Sequence, residues 1–299
     1  MKNLTDLTIF IKVIECGGFS SAARLLHLSP ATVSKQIARL EAELNVRLFE
    51  RNTRHLRITE EGCAIAQRVR AALSLLDDAV EIARQGAREM TGRVRVTAPV
   101  PFGERYVAPL LGRFQQRYPQ LEIDLQLTDR IVDLYEDDID LAIRIGALAD
   151  SRLVSRQLAR CQRILVASPA YLKRYGTPHS LTDLSSHQCL VLASCSGWSL
   201  ASKMSPSPQH IHVAGALSSD NGTVLRQWSL MGLGITLREM WDVADELRRG
   251  ELVHVLAEWA EAAKDIHAVR PYRDPVPHRI KQLVDDFQVE WQNTPWCVD

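Results

Sequence analysis

The sequence predicts an all-α N-terminal head, a long connecting helix and a two-lobed α/β domain, in that order along 299 residues. Three observations predict it. Apolar residues recur at helical spacing through the first 44 residues and again from Thr59 to about Gln85. Beyond Gly92 short alternating runs interleave with helical ones, the pattern of a sheet covered by helices. The third observation is charge: the net value is zero, yet residues 1–58 carry nine Lys and Arg against five Asp and Glu. A small basic module joined to a larger acidic one fits nucleic-acid binding by the first part only.

Residues 4–14 place Leu4, Leu7, Phe10, Ile11 and Ile14 on one helical face, and Gly17-Gly18 stop that helix. Ser20 can cap a short second helix over residues 21–26. The turn His27-Leu28 then leads to Ser29-Pro30, where Ser suits the cap and Pro the first helical position. In the third helix, residues 30–44, Val33, Ile37, Leu40 and Leu44 share one side. The other side carries Ala31, Thr32, Ser34, Lys35, Ala38 and Arg39. Small residues permit close approach to a groove wall, hydroxyls meet base edges or phosphates, and Lys35 and Arg39 supply charge. After it, Leu48-Phe49 and Leu56-x-Ile58 bracket a polar tip with Arg51, Arg54 and Arg57, the outline of a hairpin wing. Taken alone such a run reads first as a solvated loop, and its place directly after a helix-turn-helix turns the reading to a wing.

The segment over residues 10–62 resembles the DNA-binding domain of LysR-type transcriptional regulators. Gly18-Phe19-Ser20, Ala22-Ala23, Leu28-Ser29, Val33-Ser34, Gln36-Ile37, Leu40-Glu41, Leu48-Phe49, Arg51, Arg54, Thr59 and Gly62 carry the resemblance. It implies a winged helix-turn-helix over residues 1–58, with the helix-turn-helix at about 19–38. It also implies DNA contacts from Ser29, Pro30, Thr32, Ser34 and Lys35 and wing contacts from Arg51 and Arg54. Where the family often has Gln after Ser29 this chain has Pro30, which offers apolar contact and no amide readout.

From Thr59, a cap followed by Glu60 and Glu61, a helix runs to about Gln85, where Gly86 can end it. Ala66, Val69, Leu73, Leu76, Val80 and Ala83 alternate gaps of three and four residues. This is the spacing of a coiled-coil seam, and also of a helix lying on its own domain. The resemblance implies that residues 59–90 pair in a dimer, so that two recognition helices address a pseudo-palindromic site.

In residues 91–299, strands are expected at 92–97, 121–127, 140–145, 163–167, 190–192, 211–214 and 235–237. Helices are expected at 104–118, 132–138, 222–231 and 276–291, and 194–209 reads as a surface loop. This half resembles the LysR-type effector domain, similar in fold to periplasmic solute-binding proteins, through Gly92-Arg93-Val94-Arg95-Val96, Tyr118-Pro119, Asp140-Leu141-Ala142-Ile143-Arg144 and Gly232-Leu233-Gly234-Ile235. Lobe I is expected at 91–162 with 268–299 and lobe II at 163–267, with crossovers near 160–163 and 267–270. Ligands in such a fold sit at the carboxyl ends of the strands, against helix N-termini. Those termini are Pro99-Val100-Pro101-Phe102 and Ser218-Ser219-Asp220-Asn221. Two prolines remove N–H donors, so the first wall is expected to be apolar, with an anion held by Ser219, Asn221 or Arg144. Arg144 reads equally as the partner of the acidic stretch before it.

No phosphate loop, dinucleotide motif or nucleophile elbow appears, and the nine His show no metal-site spacing. The six cysteines lack Cys-x-x-Cys pairing, so no disulfide framework or structural metal is indicated, and redox sensing through Cys189 and Cys195 is a minor alternative. No apolar run approaches bilayer length and the N-terminus lacks a signal-peptide pattern, so the expected location is the cytoplasm. The chain is thus expected to be a regulator, not an enzyme, without a cofactor. Its expected partners are double-stranded promoter DNA, a small-molecule co-inducer such as a small organic acid or aromatic compound, itself as homodimer or homotetramer, and RNA polymerase. A regulator lacking any effector, or a solute-binding or enzymatic domain on a DNA-binding head, are the alternatives.

Overall fold

Short polar turns punctuate the head, and left-handed residues sit where the chain reverses. Gly17 (φ 65°) closes α1 (Leu4–Glu15), and His27 (φ 54°) makes the turn between α2 (Phe19–Leu25) and α3 (Pro30–Leu44). Asn45 (φ 53°) ends α3. The computed structural model describes residues 4–51, 56–83, 90–146, 153–193, 195, 197–202, 204, 207–273 and 276–297. The second helix starts at Phe19 with Gly18 at its cap and no side-chain cap bond, so Ser20 lies inside the helix. The strands β1 (Phe49–Arg51) and β2 (Leu56–Ile58) pair antiparallel with Phe49 opposite Ile58, the expected wing. The head is therefore α-helical with a two-stranded wing.

Helix α4 (Glu60–Ala83) begins as the sequence predicts. Thr59 Oγ1 accepts the Gly62 amide at 2.9 Å and donates to Arg47 O at 2.7 Å. Gly62 is required there, because a Cβ would lie 2.4 Å from Leu48 O. Phe10, Val33, Ile37, Leu40, Leu48 and Phe49 form the core of the head, with Phe49 edge-on to Phe10 and Phe19. Ala66 and Val69 belong to this same core and Leu73 packs against it, whereas Leu76 is exposed. The apolar spacing of α4 thus serves two purposes: its first half lies on its own domain, and a free apolar face begins only beyond Leu73. Val80 and Ala83 have side chains outside the described residues.

By its contacts the chain divides into residues 1–92 with 132–138, and residues 93–131 with 139–299. The expected helix over 132–138 is a set of turns. Asp133 Oδ1 accepts the amides of Tyr135 (2.8 Å) and Glu136 (3.3 Å), closing an Asx turn, and Asp138 is left-handed.

In the second unit, β3 (Gly92–Ala98) leads through α5 (Val100–Phe102) and a π turn at Gly103–Val107 into α6 (Ala108–Arg117). Pro109 falls in the first turn of α6, directly after the π turn. There follow β4 (Leu121–Leu127), β5 (Leu141–Ile145), β6 (Leu153–Ala159), β7 (Arg163–Ala167), α7 (Pro169–Tyr175) and β8 (Cys189–Leu192). Next come β9 (Gly197–Ser202), β10 (Gln209–His212), β11 (Ser218–Ser219), α8 (Gly222–Leu230), β12 (Ile235–Glu239) and α9 (Met240–Arg248). The chain closes with β13 (Val253–His254), β14 (Trp259–Ala260), β15 (Ile266–Pro271) and α10 (His278–Trp291).

Two five-stranded sheets result, ordered β4-β3-β5-β15-β6 and β11-β8-β12-β7-β13. Both are mixed. Strand β3 runs parallel to β5, and β8 to β12, but β15 is antiparallel to β5 and β6, and β7 is antiparallel to β12. The antiparallel members are the strands that enter each lobe from the other one. The second crossover lies at 261–265, ahead of the expected 267–270, because β15 is already in the first-lobe sheet at Ile266. The expected loop at 194–209 contains β9, which pairs with β10 and β14 and sends Trp198 and Leu200 into the second-lobe core.

The two lobes share an aromatic cluster. Phe102 lies 5.1–5.8 Å, ring centre to ring centre, from Tyr106, Trp241, Trp291 and Trp296. Its exposure is 0%, so it is a packing residue and not the cleft wall expected from sequence. Tyr106 Oη donates to Trp241 O at 2.9 Å, and Trp296 Nε1 donates to Arg160 O at 3.2 Å beside the first crossover. Replacing Phe102 with Ala should cost about 3–5 kcal/mol through the cavity it leaves. Urea unfolding followed by tryptophan emission reads this loss, and a change below about 1 kcal/mol contradicts the packing role.

Candidate functional site

Amino-acid chemistry alone makes the start of α3 an exposed polar knob. Ser29, at the cap, accepts the Thr32 amide at 3.0 Å, and its hydroxyl lies 2.7 Å from Thr32 Oγ1. Pro30 follows without an N–H. Ser29, Pro30, Ala31, Thr32, Lys35, Ala38 and Arg39 are exposed and Ser34 is half-buried, while Val33, Ile37 and Leu40 are at or below 1% exposure. The face that the periodicity assigns to the exterior is therefore the exterior face.

Two carboxylates hold this helix in place. Asp6 of α1, 1% exposed, accepts Arg39 Nε at 2.8 Å and also Arg39 Nη2. That hydrogen bond, followed by the attraction between the charges, holds the Arg39 guanidinium above its ordinary pKa. Arg39 is thus first a tie between α3 and α1, a role that its place on the polar face does not reveal. Glu41 Oε1 accepts the amides of Leu48 (2.8 Å) and Phe49 (3.2 Å), so α3 also fixes where the wing begins. Arg51 ends β1, but its side chain, like all of Arg54, lies outside the described residues.

The expected effector residues do not converge on one cavity. Val100 donates its amide to Asp129 Oδ1 at 3.0 Å and Pro99 and Pro101 lack N–H groups, so none of these three residues offers an amide to an anion. Pro101 instead lines a charged cavity of about 400 Å³ with Glu104, Arg105, Arg226, Asp242 and Asp245. Asn221 caps α8 by accepting the Thr223 amide at 2.8 Å and gives its own amide to Ser219 Oγ at 3.1 Å. Beneath that helix end lies Arg238, 4% exposed and bound to Asp242 Oδ2 at 2.9 and 2.8 Å. Gly222 leaves room for it, since a Cβ would meet the guanidinium at 2.1 Å. Arg144 reaches Arg130 O at 3.5 Å, and desolvation lowers its pKa.

The residues that sequence reasoning missed lie at the second crossover. A cavity of about 620 Å³ opens at the carboxyl end of β5 against β9 and residues 261–265, lined by Ile145, Gly146, Ser199, Lys264, Asp265 and His267. Lys264 Nζ is 3.7 Å from Glu261, which also pairs with the buried Arg163 at 2.6 Å. Asp265 Oδ2 accepts from Gln157 Nε2 at 2.7 Å, while its buried Oδ1 has no partner. His267 Nδ1 sits 3.1 Å from Ser155 Oγ. The available signal was the charged run at 258–267 between two strands, on a crossover.

The model for the lysR family of bacterial regulatory helix-turn-helix proteins matches residues 4–63, and that for the LysR substrate binding domain matches 87–291. The chain belongs to the LysR family. Its LysR-type relatives are DNA-binding transcriptional regulators with a substrate-binding effector domain. The transcriptional regulator DmlR of Escherichia coli is 42% identical over 267 residues, 87% of this chain and 85% of its own. The regulator CrgA of Neisseria meningitidis is 34% identical over 99% of both chains, and its solved structure superposes with a TM-score of 0.60 over 96% of this chain and 98% of that one. The full-length virulence activator AphB of Vibrio cholerae gives 0.60 at 30% identity, covering 96% and 99%. Among the described residues no helix is long and apolar enough to cross a membrane, and no cluster of His, Cys, Asp or Glu could hold a metal ion.

The six cysteines are free. Burial pushes the Cys161 and Cys189 thiols up to about 12, so neither carries a thiolate at neutral pH, whereas Cys63, Cys195 and Cys297 are exposed. A disulfide-exchange reagent at pH 8 should therefore modify the exposed thiols quickly and reach Cys161 and Cys189 only after unfolding, as peptide mapping shows. For the head, Arg39→Ala should lower the thermal midpoint by leaving buried Asp6 unpaired, whereas Lys35→Ala should not. Equal midpoints for the two variants would remove the tie assigned to Arg39.

Proposed function

We propose that the chain binds double-stranded promoter DNA as a dimer or tetramer and alters that binding when a small organic acid occupies the cavity at the second crossover. The observation that carries the DNA half is the exposed face of α3, where Ser29, Pro30, Thr32, Ser34 and Lys35 lie on the first turns of a helix capped by Ser29 and tied farther along to α1 through Arg39 and Asp6 and to the wing through Glu41. A helix presented in this way enters the major groove by its N-terminal turns. Arg51 and Arg54 would add phosphate contacts from the wing, and Arg39 stabilises the presentation more than it reads DNA.

The division of labour follows residues 1–58 for DNA, 59–90 for pairing and 91–299 for sensing. Exposed Leu75 and Leu76 on α4 supply an apolar face for a second copy. In the sensing part, Lys264 and His267 offer positive and hydrogen-bonding groups beside the apolar Ile145, the combination a small carboxylate needs. Pro99, Val100 and Pro101 stand outside this cavity's lining, and Ser219 and Asn221 serve α8 as caps. The reading has no catalytic step and no cofactor, acts in the cytoplasm where promoter DNA lies, and leaves RNA polymerase as the partner met at the promoter.

Lys35→Ala should weaken binding to the DNA upstream of the chain's own gene and make the plot of log affinity against log salt shallower by about one unit, one phosphate contact's share. Fluorescence anisotropy between 50 and 200 mM salt reads both, and an unchanged slope sinks the assignment. Lys264→Ala should abolish the thermal upshift given by an activating acid while leaving DNA affinity without it intact. A screen of small acids that never shifts the wild-type midpoint would favour a regulator without an effector.

A further inference from the structure

The first lobe contains a second cavity, and neither the proposed effector site nor the lobe crossovers account for it. It measures about 250 Å³ and lies within that lobe between its sheet and α10. Its apolar lining comes from Leu141 of β5, Val154 of β6, Ala268 of β15, and Ile280 and Val284 of α10, all aliphatic. Three cations, Arg156, Arg270 and Lys281, also line it. Arg156 is paired with Asp285 at 2.5 Å. Arg270 is different: it is half-buried, its Nη1 donates to Pro271 O at 3.1 Å, and no carboxylate pairs with it among the described residues.

A half-buried guanidinium without a counter-ion is costly, because water has been removed and nothing charged replaces it. That cost shows in the lowered pKa of Arg270, set first by desolvation and then by the nearby Arg273, with Tyr272 opposing. Arg273 is itself bound to Asp140 at 3.0 Å. Asp285 is thus taken up by Arg156 and Asp140 by Arg273.

We propose that this cavity is a binding site for a medium-chain alkyl carboxylate, with the chain on the aliphatic floor and the carboxylate on Arg270 and Lys281. The chemistry is that of an aliphatic slot beside a guanidinium with no carboxylate partner among the described residues, to which a planar carboxylate is complementary. An aliphatic lining and a small volume select an unbranched chain over a bulky polar acid. The site lies within one lobe, so it stands whether or not the crossover cavity holds an effector.

Octanoate titrated into the full-length protein by calorimetry should bind saturably at this site. Acetate, with the charge but no chain, and 1-octanol, with the chain but no charge, should each bind at least about tenfold more weakly. Arg270→Gln should weaken octanoate by about tenfold or more without lowering the thermal midpoint of the free protein. Val154→Phe should fill the slot and abolish binding, and if that variant does not fold, Arg270→Gln decides alone. Lys264→Ala, in the other cavity, should leave octanoate affinity unaltered. Absence of saturable binding, indifference to Arg270→Gln, or loss of binding through Lys264→Ala overturns the proposal.

Discussion

The chain passes between its two α/β lobes twice, at 160–162 and at 261–265, and most of the effector domain's character follows from that constraint. A strand arriving from the other lobe enters a sheet from the opposite end, so β7 and β15 are antiparallel to their neighbours in otherwise parallel arrangements. The first crossover buries Cys161, whereas the second gathers charge. Glu261, Lys264 and Asp265 occupy the second, and the buried Arg163 just beyond the first is neutralised by Glu261 and Glu239. A polar cavity at this place is a consequence of connectivity before it is a device for sensing.

The aromatic cluster around Phe102 limits what those crossovers can do. Tyr106 and Phe102 of the first lobe meet Trp241 of the second, Arg105 donates to Asp242 O at 2.8 Å, and Trp296 seals the same junction. Separating the lobes on this side would expose several large rings and leave Arg105 without its partners. A relative movement of the lobes that keeps these contacts is a pivot about the cluster.

Strong local chemistry was legible in the sequence. The bounds of α3 follow from Ser29, Pro30 and the αL residue Asn45, and β4 and β7 occupy the predicted residues, because one-sided burial and clean alternation leave few other solutions. What escaped depended on distant partners. Strand β9 hides in a Ser- and Pro-containing stretch, since its buried Trp198 and Leu200 are explained only by a core assembled from β7, β8 and β12. The 132–138 segment has the spacing of a helix, but it makes a single turn, Asp137 N–H to Asp133 O at 3.0 Å, before the left-handed Asp138 ends it. Arg39 has the composition of a DNA contact and the geometry of a tie to Asp6, 33 residues away in sequence.

The same limit governs the candidate sites. Ser29, Thr32 and Lys35 are neighbours on one helix, so spacing alone brings them together. The cavity residues of the effector domain come from β5, β9 and the second crossover, more than 120 residues apart. Strands β5 and β15 nevertheless tie the crossover cavity to the aliphatic one within lobe I. Ile145 and His267 line the crossover cavity, while Leu141 and Ala268 of the same two strands line the aliphatic one. Successive residues of a strand point to opposite faces, so His267 and Ala268 cannot shift independently. A ligand that displaces β15 to fit either cavity therefore alters the lining of the other, and the sheet that holds both is the shortest path between them.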